Sequence, residues 1–283
     1  MRILEKPDEM RNLSEEWRAE GLTVGFVATM GALHEGHLSL MRRAHEECDR
    51  LVVSIFVNPT QFAAGEDYDT YARPFERDAA LLREEGCDAL FAPSVEAMYG
   101  ETSLELSPSG GRVYVEAAGL GDVWEGATRP GHMRGVATIV AMLLNIVRAH
   151  RAYFGEKDYQ QLKVIERMVR DLFFGVEIIP CPTIRELDGL ALSSRNINLS
   201  PEEREAALAL SRALRAAQDA RDPQSAVSEI ERICEAEPLV VLRYAAVVDA
   251  ETLAPLEKSG PRPARALISA DVGATHLIDN APL

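Results

Sequence analysis

The chain has 283 residues, of which 47% are hydrophobic and 27% charged, and it carries a formal net charge of −15. That is ordinary globular composition, which excludes a disordered or fibrous chain. The acidic balance, with no Lys/Arg-rich cluster, excludes a typical nucleic-acid binder, because such proteins draw their affinity from a basic face. No apolar run approaches the ~18 residues of a membrane span. Residues 1–8 carry acids and lack an apolar signal core, so a soluble, cytosolic protein is expected, with no membrane partner.

In chain order, residues 23–28 and 51–57 are short, β-branched and apolar, as buried parallel strands should be. Leu38, Met41, Ala44 and Cys48 recur between them at helical spacing, completing a β-α-β unit. A helix is predicted at Phe75, Ala79 and Leu82, then a strand at Ala89, Leu90 and Phe91. A long buried helix runs from Val136 to Val147, a strand ends at Phe154, a helix carries Leu162, Ile165, Met168 and Leu172, and a strand covers residues 176–179. Such alternation predicts an open, mostly parallel sheet with helices on both faces, spanning residues 1–183.

The texture changes beyond that point. Ser200, Pro201 and Glu203 mark a helix start, with Ser as N-cap, Pro at the first position and Glu at the third. A second helix follows Pro223, and residues 239–248, 265–270 and 276–278 read as strands. Residues 184–283 are therefore expected to form a smaller α+β domain, with a turn-rich connection from Pro255 to Pro263. The four cysteines, Cys48, Cys87, Cys181 and Cys234, form no C-x-x-C pair and read as reduced, apolar thiols.

Four segments could carry chemistry. Residues 29–37 contain His34-Glu35-Gly36-His37 between a strand and its helix, where α/β proteins bind ligands. A helix opening near Gly36 and His37 would offer N–H groups and a positive dipole end to phosphate, with two imidazoles to support a leaving pyrophosphate. A zinc pair fits less well, because the spacing is H-x-x-H and not that of H-E-x-x-H, and no third ligand follows at a recognisable spacing. The second segment, Gly155-Glu156-Lys157-Asp158 with Gln161, also opens a helix; alone it better suits an ordinary charged first turn. The third, Leu192-Ser193-Ser194-Arg195, suits a polyphosphate or a solvated loop. The fourth, residues 57–62, could feed Asn58 and Gln61 amides into a cleft.

Together these segments resemble the pantothenate synthetase, or pantoate–β-alanine ligase, family. The family patterns P-T-M-G-A-L-H-E-G-H, S-I-F-V-N-P-x-Q-F, E-G-x-x-R-P-G-H-F-R-G-V, F-G-E-K-D-Y-Q-Q-L and D-G-L-A-x-S-S-R-N match residues 28–37, 54–62, 125–136, 154–162 and 188–196, in that order. Departures are modest: Ala28 stands for Pro, Thr60 for Met and Met133 for Phe. The resemblance implies a Rossmann-like N-terminal domain and a homodimer that uses ATP with Mg²⁺ to condense pantoate and β-alanine through an adenylate. It also implies that Met30, Gly31, Ala32, Leu33, His34, Glu35, Gly36 and His37 bind ATP, with Gly155, Glu156, Lys157, Asp158, Ile184, Leu192, Ser193, Ser194 and Arg195. His34, His37, Lys157 and Arg195 are the implied catalytic set. Gln61 and Gln161 would hold pantoate, with Gln61 also near β-alanine, and no protein metal ligand is implied. Residues 63–78 and the C-terminal domain are candidate lids. A nucleotidyltransferase sharing the H-x-G-H motif is the alternative.

Overall fold

A computed structural model describes residues 1–63, 65–100, 113–258, 260 and 263–283. Ala64 in the candidate lid, and Ser259, Pro261 and Arg262 in the turn-rich connection, lie outside the described residues. The chain divides into two compact units: residues 1–155 with 164–181, and residues 156–163 with 182–283.

The first unit holds six parallel strands: β1 (Arg2–Leu4), β2 (Val24–Thr29), β3 (Arg50–Ile55), β4 (Ala89–Phe91), β5 (Arg151–Gly155) and β6 (Glu177–Cys181). Their order is β1-β4-β3-β2-β5-β6, as the expected Rossmann-like sheet requires. The helices are α1 (Pro7–Ala19), α2 (Glu35–Glu47), α3 (Phe75–Glu84), α4 (Val95–Tyr99), α5 (Glu125–Thr128) and α6 (His132–Val147). The central strands are apolar on both sides because helices cover both. Val27, Leu51, Val53, Leu90 and Tyr153 pack with Leu38, Met41 and Ala44 of α2 and Ala79 and Leu82 of α3. The alternate residues Phe26, Val52 and Ala152 point to the opposite face, on the side of α1 and α6.

The helix α7 (Tyr159–Asp171) begins in the second unit and ends in the first. The second unit adds α8 (Pro201–Gln218), α9 (Pro223–Glu235) and the antiparallel sheet β7-β8-β9 of β7 (Val240–Asp249), β8 (Ala264–Val272) and β9 (Thr275–Pro282). The α8 start is the expected capping box: Ser200 Oγ accepts from Glu203 N at 3.2 Å, and Glu203 returns a carboxylate to Ser200 N at 2.8 Å. Small residues on one α8 face, Ala206, Ala209, Ala213 and Ala217, bring that helix close to Ala266, Ile268 and Ala270 of β8. Among the described residues, no helix is long and apolar enough to cross a membrane.

Candidate active site

In the first unit β3 and then β4 are added on one side of β2, with β1 beyond them, and β5 and then β6 on the other. The strand order therefore reverses between β2 and β5, and their carboxyl ends flank the crevice where open α/β sheets bind ligands. The segment from Met30 to His34 leaves β2 at this point.

Two consecutive left-handed residues shape it, Gly31 at φ +85° and Ala32 at φ +50°. The turn is held from inside the protein. Asp78, 1% exposed in the first turn of α3, accepts Ala32 N at 2.8 Å and Leu33 N at 2.9 Å, one on each carboxylate oxygen. Thr29 Oγ1 accepts from Gly31 N at 3.1 Å and donates to the Ser54 carbonyl at 2.7 Å. A methyl on Gly31 would stand 3.0 Å from an Asp78 oxygen, so both its φ and its surroundings call for glycine.

The helix opens one residue earlier than its sequence suggests, at Glu35, because histidines serve as its capping box. His34 Nδ1 accepts from Gly36 N at 3.1 Å, and His37 Nδ1 accepts from His34 N at 3.4 Å, with ring centroids 4.1 Å apart. An imidazole that accepts through Nδ1 carries its neutral-state proton on Nε2. Capping thus fixes the tautomer of both rings as Nε2–H donors.

Gln61 closes a 3₁₀ turn over Pro59–Gln61 and is buried. Asn58 Oδ1 accepts from Tyr99 Oη at 2.7 Å and Thr60 Oγ1 at 3.0 Å, which leaves Asn58 Nδ2 as the donor to Gln61 Oε1 at 3.2 Å. The Gln61 carboxamide is therefore oriented with its oxygen toward Asn58 and its NH₂ toward Met30, whose Sδ, a weak acceptor, lies 2.8 Å from that nitrogen. A hydrogen-bond donor matched to a hydroxyl or carboxylate sits directly against the loop that precedes His34 and His37.

Apart from Gly155, which closes a strand of the first unit, the other predicted residues lie in the second unit. Gly155 ends β5, and a 3₁₀ turn over Glu156–Asp158 follows it. Asn280 Nδ2 donates to the Glu156 and Lys157 carbonyls at 2.9 and 2.8 Å, fixing that turn to β9. Arg265 holds Glu156 at 2.8 Å and Asn280 Oδ1 at 2.6 Å, while its guanidinium lies 3.8 Å from the Tyr159 ring centroid. Lys157 Nζ lies 3.5 Å from Asp158 Oδ1. Gln161 lies in the first turn of α7. Ile184 O accepts from Leu192 N at 3.0 Å. Ser193 caps a second 3₁₀ turn, Ser194–Asn198, by accepting from Arg195 N at 3.3 Å. Both turns pack on β9, so one strand supports the segments of Lys157 and Arg195.

Family comparison decides between the ligase and the nucleotidyltransferase. The profile described as Pantoate-beta-alanine ligase matches residues 2–282. The chain belongs to the pantoate–beta-alanine ligase family. It is similar to the pantothenate synthetase of Rubrobacter xylanophilus, 63% identical over 286 residues that cover 99% of this chain and 98% of the relative. The pantothenate synthetase of Thermotoga petrophila is 50% identical over 288 residues, covering 100% of both. The crystal structure of pantothenate synthetase from Thermus thermophilus superposes with a TM-score of 0.90 at 48% identity, covering 99% of each chain. The Francisella tularensis pantoate-beta-alanine ligase, complexed with beta-gamma ATP and beta-alanine, gives a TM-score of 0.80 at 34% identity, covering 99% of this chain and 97% of that one. Members of this family are ligases that form a carbon–nitrogen bond, and this chain is such an enzyme.

The family motifs do not mark every group that shapes the site. Asn58, expected to feed its own amide into a cleft, is found orienting Gln61. Asp78, Arg265 and Asn280 had no local signal, because each acts on a turn far away in sequence.

Proposed function

We propose that this ligase uses ATP to activate pantoate as its adenylate, then lets the amine of β-alanine displace AMP. A carboxylate resists attack by an amine because oxide would have to leave; transfer of its oxygen to the α-phosphorus makes AMP the leaving group. In the first half-reaction a pantoate oxygen forms a bond to that phosphorus while the bond to pyrophosphate breaks. In the second, the amine nitrogen bonds to the acyl carbon, AMP leaves, and the amine loses a proton.

The roles follow from the groups available. Residues 30–37 and 155–158, with Ile184 and residues 192–195, hold ATP, and Asp158 takes the ribose hydroxyls. His34 and His37, as Nε2–H donors, hydrogen-bond phosphate oxygens as charge builds on them, with His37 nearer the leaving group. Lys157 and Arg195 add full positive charge. Gln61 and Gln161 hold pantoate, and Gln61 also borders the β-alanine site. Positioning and charge neutralisation supply the rate; no covalent enzyme intermediate is required. Among the described residues, no group of three or more His, Cys, Asp or Glu could cage a metal ion. A Mg²⁺ held by the triphosphate would supply charge neutralisation beside Lys157 and Arg195. Residues 63–78 and the C-terminal domain, residues 184–283, act as lids that keep water from the adenylate. The enzyme works as a cytosolic homodimer.

The observation that carries this reading is the NH₂ of Gln61 lying on Met30, in the loop that leads into His34 and His37. Isotope exchange between pyrophosphate and ATP tests it. Exchange should require pantoate and proceed with no amine present. Exchange that ignores pantoate, or that starts only when β-alanine is added, would overturn it.

A further inference from the structure

A second polar chain grips the backbone of Gln61. The Gln61 carbonyl lies 2.7 Å from His132 Nδ1, the first residue of α6. A carbonyl oxygen only accepts, so Nδ1 carries the proton and Nε2 is the lone-pair nitrogen. That nitrogen accepts from Arg129 Nη1 at 3.2 Å. Arg129 is in turn clamped by Glu66, with Nε and Nη2 donating to its two carboxylate oxygens at 2.8 and 2.6 Å. The pair is largely covered, with side chains 12% and 23% exposed.

Only the neutral Nδ1–H tautomer of His132 satisfies both of its neighbours. Burial, and then the Arg129 charge, push the His132 pKa down to about 4, so the ring stays neutral at physiological pH. The 3₁₀ turn is already closed by its own Phe62 N to Pro59 O bond, so the imidazole is not needed to form it. What His132 adds is a fixed position for the Gln61 backbone, while Asn58 fixes the carboxamide.

We propose that His132 and Arg129 are positioning residues for the acid substrate, holding Gln61 so that its amide nitrogen meets pantoate, with Glu66 keeping Arg129 in place. The inference rests on the reading of Gln61 as a pantoate ligand. It assigns to segments flanking the site, residues 66 and 129–132, a task distinct from nucleotide binding.

The test separates substrates. In His132→Ala the KM for pantoate should rise roughly tenfold, the scale of one lost hydrogen bond, while the KM for ATP stays within about twofold. His132→Asn, whose side-chain NH₂ can replace Nδ1–H, should restore most of the loss; His132→Gln, which replaces the other nitrogen, should not. Arg129→Gln should raise the pantoate KM without moving that for ATP. Calorimetric binding of pantoate alone to Gln61→Ala separates the two levels of argument. If Gln61→Ala binds pantoate normally, the reading of Gln61 fails. If it loses binding while His132→Ala keeps a normal pantoate KM, or if both KM values move together in all three His132 variants, the positioning role fails. Should His132→Ala not fold, the Asn against Gln contrast decides.

Discussion

Gly135 in the first turn of α6 is the sharpest place to test whether backbone packing sets the acid site. A Cβ built there would stand 2.4 Å from Thr60 O and 2.7 Å from both Thr60 C and Gln61 Cα. Ordinary carbon contacts begin near ~3.5 Å, so in Gly135→Ala the helix and the turn must part by about 1 Å. All three obstructing atoms are backbone, and none can rotate aside. Two effects on stability oppose each other. Alanine in place of helical glycine gains up to about 1 kcal/mol, whereas overpacking costs roughly 1–3 kcal/mol. The net loss should be about 0–3 kcal/mol. Activity has no such offset. A misplacement of about 1 Å can cost on the order of 100-fold in rate, and the Gly135 carbonyl also accepts from Asn58 at 3.2 Å. We expect kcat/KM for pantoate to fall about 100-fold in a protein that still folds. Both tryptophans, Trp17 and Trp124, lie in the first unit, so urea unfolding read by tryptophan fluorescence follows that unit. AMP release gives the kinetics. Normal kcat/KM, or a first unit made about 1 kcal/mol more stable with full activity, would refute the reasoning.

Three further outcomes are expected. His37→Ala should keep its fold, apart from a lost cap of about 1 kcal/mol, yet lose roughly 3 kcal/mol of transition-state stabilisation, seen as a collapse of pyrophosphate–ATP exchange. Lys157→Ala should slow adenylate formation more than the later attack by the amine, which rapid quench of the two half-reactions will separate. Because His132 has a folded pKa of about 4 against 6.5 for a free imidazole, the unfolded chain takes up its proton first on acidification. With Glu66, Arg129 and Glu125 as its charged neighbours, this stability is complete above pH ~6.5 and is lost between ~6.5 and ~4, by at most about 3 kcal/mol. Urea titrations at pH 7 and pH 5 should show that slope, and His132→Asn should flatten it.

What the sequence revealed was set by how local each signal is. The α8 capping box was legible because Ser200, Pro201 and Glu203 lie within one turn. The central strands were legible because burial on both faces leaves unbroken apolar runs. The capping of α2 was hidden because two histidines play the parts that Ser and Glu play at α8. Strand β1 has three residues and α1 buries only Met10, Leu13 and Ser14, so neither produced a pattern above its polar surroundings. The supports of the site were the least visible. Asp78 acts on amides 45 and 46 residues away, and Asn280 reaches carbonyls more than 120 residues back. Such contacts exist only once the sheet has set its strand order.

The two borders of the parallel sheet show how the chain guards against sticking to its own kind. One border is β1, only three residues long; the other, β6, places Pro180 beside Phe154 of β5 and has Glu177 at its start. A ring nitrogen cannot donate and a three-residue ribbon offers little to dock on, so neither rim is a good template for a foreign strand. Replacing Pro180 with a β-branched residue would restore the missing donor, and with it a hazard of fibrillar self-association.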